Sequence, residues 1–220
     1  MASYFNLALD TLCPGGVTLK INGGATYCTT AAVTLTIGTS DSSTAGYQML
    51  IWGTSTVAAE TNAAWETYAP SKSVTLASGD GLKHVSVKIR DAVGNASSAV
   101  SDSITLDTTL PTVTISGPDK STISKITGYN VAAFSFTCSE AFTSYKVKAV
   151  PATNSIHSAG TQIGVAGGST NMSGSAGNYA ANTAIQCTIN GSDLSTADSG
   201  DGVKVIKVFV LDVSGNWSIA

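Results

Sequence analysis

Gly79-Asp80-Gly81-Leu82-Lys83, followed by Val85, Val87, Ile89, Asp91, Gly94-Asn95 and Ser97, returns 121 residues later. The second occurrence is Gly200-Asp201-Gly202-Val203-Lys204, then Ile206, Val208, Val210, Asp212, Gly215-Asn216 and Ser218. Upstream, Ala31-Ala32-Val33-Thr34-Leu35-Thr36-Ile37 matches Ala132-Ala133-Phe134-Ser135-Phe136-Thr137-Cys138 at an offset of 101, and Asp10-Thr11 and Pro14 match Asp107-Thr108 and Pro111 at 97. Three blocks in the same order make an internal repeat. The growing offset places about twenty extra residues in the second copy, within 151–190.

Each block alternates with period two. Val33, Leu35 and Ile37 point one way while Thr34 and Thr36 point the other; Val85, Val87 and Ile89 do the same against Ser86, Lys88 and Arg90. Short alternating strands separated by Gly, Asn and Asp, without a sustained helical period, predict an all-β protein of two tandem immunoglobulin-like β-sandwich domains. The expected layout is an N-terminal arm over 1–9, a first domain over 10–107 and a second over 108–220. Asp107-Thr108-Thr109-Leu110-Pro111 serves as a short stiff linker, because Pro111 fixes its own φ and biases Leu110 towards extended geometry. Residues 151–190 are too rich in Gly, Ser and Ala to pattern.

The 220 residues carry a formal net charge of −3, 11% charged and 7% aromatic residues. Ser and Thr supply about a quarter of the chain, as suits strands joined by polar turns. A mildly acidic chain with almost no arginine offers no basic stripe for nucleic acid and no attraction for an anionic membrane. No apolar run approaches the roughly 18 residues of a membrane span, and the first residues lack the pattern of a signal peptide. The sequons at Asn95, Asn171, Asn190 and Asn216 then read as chance in a Ser-rich chain.

Cys13, Cys28, Cys138 and Cys187 show no zinc-ligand spacing, so no metal is expected. Cys138 occupies an apolar slot of an alternating strand and reads as a buried thiol; Cys13 and Cys28 flank one strand, and a bridge between them is open. Asp91 and Asp212, in the two Asp-x-x-Gly-Asn turns, have a mechanical reading as acceptors of backbone N–H groups. Calcium, with Asp102 and Asp107 nearby, is the alternative, although no dense carboxylate cluster accompanies them. His84 and His157 have no catalytic partner at a recognisable spacing, and no catalytic or cofactor-binding residue is expected.

Val17-Thr-Leu-Lys-Ile-Asn-Gly-Gly-Ala-Thr-Tyr27, Trp65-Glu-Thr-Tyr-Ala69, Gly79-Asp-Gly-Leu-Lys83, Asp91-Ala-Val-Gly-Asn95 and Asp102-Ser-Ile-Thr-Leu-Asp-Thr-Thr-Leu-Pro111 together resemble the bacterial Ig-like repeat. Such repeats occur in bacterial surface proteins and bacteriophage virion proteins. The first copy matches along most of its length and the second only at its two ends. The resemblance is specific for fold and weak for function, since these modules act as spacers, adhesins and decorations.

Comparing the copies exposes a gap. In the first, Gly94-Asn95 is followed by a last strand with Ile104 and Leu106 on its core side; in the second, Gly215-Asn216 is followed only by Trp217-Ser218-Ile219-Ala220. Conversely, Phe5-Asn6-Leu7-Ala8-Leu9-Asp10-Thr11 aligns with 102–108 at the offset of 97. Residues 3–9 are therefore expected to be a strand with Phe5, Leu7 and Leu9 on one face, completing the second domain of another chain or of its own. The alternative is that they extend the first domain. The outward positions Val205, Phe209 and Leu211 match the polar His84, Lys88 and Arg90, so that face is either covered by the insertion or an interface. With Trp217 and Ile219 these residues make the expected contact set.

The expected function is a non-enzymatic structural protein of a bacteriophage virion, a capsid or tail decoration, made in the host cytoplasm without cofactors. Its partners would be other copies of itself and other virion proteins. A short chain starting at its own Met, without secretion or anchor signals, favours a virion over a cell surface. The rival class is a surface adhesion or carbohydrate-binding module touching a host glycan through Trp65 and Tyr68, with Trp52 and Trp217 as further aromatic candidates.

Overall fold

In the computed structural model the chain divides into two compact units, with the boundary between Thr108 and Thr109, inside the expected linker. The structure describes residues 6–165, 167–174 and 177–219. Both units are all-β sandwiches of immunoglobulin type.

The first unit contains β1 (Thr18–Ile21), β2 (Tyr27–Cys28), β3 (Ala32–Gly38), β4 (Gln48–Trp52), β5 (Glu66–Thr67), β6 (Ser71–Thr75), β7 (Gly81–Arg90) and β8 (Val100–Leu106). One sheet has the order β1-β3-β6 and the other β2-β8-β7-β4-β5. All pairings are antiparallel except β2 with β8, which is parallel. The alternation read in the sequence is the burial pattern of the strands: Val33, Leu35 and Ile37 from one sheet meet Val85, Val87 and Ile89 from the other. Ile104 and Leu106 of β8, 1% and 2% exposed, complete this core. Gly53 marks where the chain turns away beneath β7: a Cβ there would sit 2.2 Å from the His84 carbonyl oxygen, at a φ of +89°.

The second unit contains β9 (Val113–Ser116), β10 (Val131–Cys138), β11 (Phe142–Ala149), β12 (Thr161–Gln162), β13 (Ser173–Gly174), β14 (Ile185–Asn190), α1 (Gly191–Ala197) and β15 (Ile206–Asp212). Sheet β14-β10-β9 repeats β6-β3-β1, and β11 pairs antiparallel with β15 as β4 does with β7. The repeat holds to the residue: Met49 faces Ile89 and Tyr145 faces Val210. Its core centres on an aromatic group, with Phe136, Phe142 and Tyr145 buried and Tyr179 stacked on Phe142 at 4.7 Å.

The insertion is not confined to 151–190. Most of it lies between β11 and β14 and lays β12 and β13 along β11. A further part is helix α1, after β14, which the Gly- and Ser-containing sequence does not announce. Its start is chemically explicit nonetheless: the Asn190 side chain accepts from the Ser192 N–H as an N-cap, and the Asp193 carboxylate accepts from Gly167 and Ser169 N–H groups.

Candidate functional site

The two units differ most at one sheet edge. In the first, β7 is bracketed by β4 on one side and β8 on the other. In the second, β15 pairs with β11, and among the described residues no strand takes the place of β8 or of the parallel β2. Residues 81–85 of β7 are held by β8 alone, since β4 reaches only from Ser86 to Arg90. Of their counterparts 202–206, only the last, Ile206, lies in β15, which begins there.

The core records the same gap: Val85 is fully buried, whereas its counterpart Ile206 is only half-buried. A groove of about 360 Å³ runs beside Val203 and Val205, lined also by Val150 and Ala197.

The expected donor strand is found without a sheet. Residues 6–10 carry no strand, and Leu7 and Leu9 are 86% and 89% exposed. Phe5 lies outside the described residues.

On the outward face of β15 the structure shows cover by the insertion, one of the two readings, and not the open interface. Phe209 is fully buried, and Val205 and Leu211 are half-buried, so the three do not form an open apolar patch. The segment after β11 covers this face. Lys207 Nζ donates to the carbonyls of Ala152 and Asn154, and Lys148 Nζ to that of His157. The His157 ring stacks on Trp217 at 4.1 Å, with Lys146 Nζ 5.0 Å from the same indole. Burial, then Lys146 and Lys148, hold the His157 imidazole below its ordinary value, and its Nδ1 is buried with no partner among the described residues. Trp217 bridges to Leu211, which makes it part of this cover; Ile219 remains exposed.

Trp65 and Tyr68 do not present a pair of open ring faces. The Arg90 guanidinium lies over the Trp65 ring at 4.4 Å while its Nε donates to Gln48 Oε1. Tyr68 packs against the first core and donates its hydroxyl to the Ile37 carbonyl at 3.0 Å. Trp65 still lines a shallow groove of about 490 Å³ with Asn62, Glu66 and Lys72, the last two ion-paired at 2.6 Å.

The Asp turns behave as backbone clasps. The Asp91 carboxylate accepts from the N–H groups of Val93 and Asn95 and from Asn95 Nδ2. Burial pushes its pKa up, but the hydrogen bonds from Asn95, Val93 and Gly94 outweigh this and hold it below the usual carboxylate value. Asp212 accepts from Ser214, Gly215 and Asn216 N–H groups and from Asn216 Nδ2. The sequon asparagines are engaged as well, with Asn171 Nδ2 donating to the Gln186 carbonyl and Asn190 capping α1. All four cysteines are free thiols; Cys13 is exposed and the other three are buried.

No helix of the described residues is long and apolar enough to cross a membrane. No family model matches the chain, and no curated protein does. Among solved structures it is similar to the chitinase ChiA74 from Bacillus thuringiensis, at 13% identity and a TM-score of 0.31, over 92% of this chain and 30% of that one. It is also similar to the D00-D0 domain of intimin, at 11% identity and a TM-score of 0.31, over 92% of this chain and 98% of that one.

Proposed function

We propose that this chain is a non-enzymatic structural protein that works by self-assembly, of the kind that decorates a bacteriophage virion. The observation that carries the assembly reading is the edge of β15, left uncovered among the described residues, where the first unit has β8. An open ladder edge beside a half-filled core is a costly surface to leave in water, and joining it to a further strand satisfies both the backbone and the apolar side chains. The virion is one of the two settings in which the resembled Ig-like modules occur, and the partners there would be further copies and other virion proteins. Light scattering after size exclusion, over a wide concentration range, tests the reading. Concentration-dependent rings or chains support it; a monomer throughout counts against it.

A second reading, a glycan-binding or adhesion module, is favoured by one feature only, the Trp65-lined groove with its polar Asn62, Glu66 and Lys72. Glycan-array binding that Trp65→Ala abolishes would move the function there.

A further inference from the structure

We propose that residues 6–9 of one copy of this chain form the strand beside β15 of a second copy. Leu7 and Leu9 then take the core positions that Ile104 and Leu106 fill in the first unit. The proposal rests on the assembly reading above and names the contact through which assembly runs.

The register comes from the molecule itself. In the first unit Leu106 faces Gly81, Thr105 faces Leu82, Ile104 faces Lys83 and Ser103 faces His84. The repeat carries β7 onto 202–211 at an offset of 121 and carries β8 back onto the N-terminal segment at an offset of 97. Leu9 therefore pairs with Gly202, Ala8 with Val203, Leu7 with Lys204 and Asn6 with Val205. The alternation agrees with this placement, because Ile104 and Leu106 point into the core while Ser103 and Thr105 point out. Leu7 and Leu9 enter the gap beside the half-buried Ile206, and the small or polar Asn6 and Ala8 stay outside.

A second copy is the occupant the proposal commits to, because the segment is left unused by the first unit, to which it belongs. Leu7 and Leu9 stand in solvent and residues 6–10 join no ladder. Donor and acceptor are different surfaces, so the contact is heterologous and builds a closed ring or an open chain.

The test is a register-specific disulfide. In a Cys13→Ser background, one chain carries Ala8→Cys and another Val203→Cys; both sites are exposed, so the fold is not at stake. Mixing the two under an added oxidant is expected to give a linked dimer, since facing Cβ atoms in a ladder lie within disulfide reach. Replacing Val203→Cys by Lys204→Cys moves the thiol to the other face of the strand and is expected to abolish the link. No link, equal linking in both mixtures, or linking only within a single doubly substituted chain overturns the proposal. Leu7→Asp with Leu9→Asp should weaken association about a hundredfold or more, from two lost apolar burials. Unchanged association of that variant sinks strand exchange and leaves assembly standing. A monomeric unsubstituted chain removes both.

Discussion

Asp91 and Asp212 close the same turn with the same atoms, 121 positions apart. Each carboxylate accepts backbone N–H groups two and four residues ahead and the Nδ2 of the asparagine that ends the turn. In both cases the next serine returns to the strand: Ser97 N–H to the Ile89 carbonyl, Ser218 N–H to that of Val210. The turn thus aims the chain back along β7 or β15. Asp212 is 1% exposed, so Asp212→Ala strands buried donors and should cost about 3 kcal/mol in chemical denaturation. A loss below about 1 kcal/mol would remove the clasp from the account.

Much of this was legible in the sequence, for identifiable reasons. The strands 32–38 and 81–90 alternate with buried Val, Leu and Ile against Thr, Ser and Lys, and a period of two has one structural meaning. The missing partner of β15 was legible because the repeat supplies its own template. For Phe209 the sequence left cover by the insertion and an interface both open, since a periodic pattern assigns a face but does not say what covers it. Its cover comes from Lys148, Lys207, His157 and Trp217, contacts between segments far apart in the chain. Helix α1 was missed because its seven residues hold one leucine and no apolar stripe, and its Asn190 cap sits inside a strand pattern.

Thiol reactivity should separate the cysteines sharply. Burial pushes the Cys187 thiol up to about 12 and raises Cys138 and Cys28, while Cys13 is exposed. One thiol per chain is expected to react quickly with an aromatic disulfide at neutral pH, and the rest only on unfolding. Cys13→Ser should abolish the fast phase. A fast phase surviving that substitution would mean that one of the three buried thiols, Cys28 in the first unit or Cys138 and Cys187 in the second, is more open than its packing implies.

Tyr68→Phe addresses whether that ring is structural or a ligand contact. The hydroxyl donates to the Ile37 carbonyl, tying the approach to β6 onto β3. Its removal should cost about 1 kcal/mol of stability and leave the assembly state unchanged. Stability within error of the parent, together with lost glycan binding, would favour the adhesion reading.

The His157–Trp217 stack should make the second unit sensitive to mild acid. Burial and two nearby lysines lower the imidazole pKa below its ordinary 6.5 in the folded chain. Between the folded value and 6.5 the unfolded chain binds the proton more readily, so stability rises with pH there. The contribution is fully present above 6.5 and diminishes as pH falls towards the folded value. The second unit should therefore melt at a lower temperature near pH 5.5 than at pH 7.5, with Trp217 fluorescence reporting the release of the stack. His157→Gln should flatten the dependence in this window, where the ordinary carboxylate values lie lower. An unchanged pH slope in that variant would show that other groups carry the sensitivity.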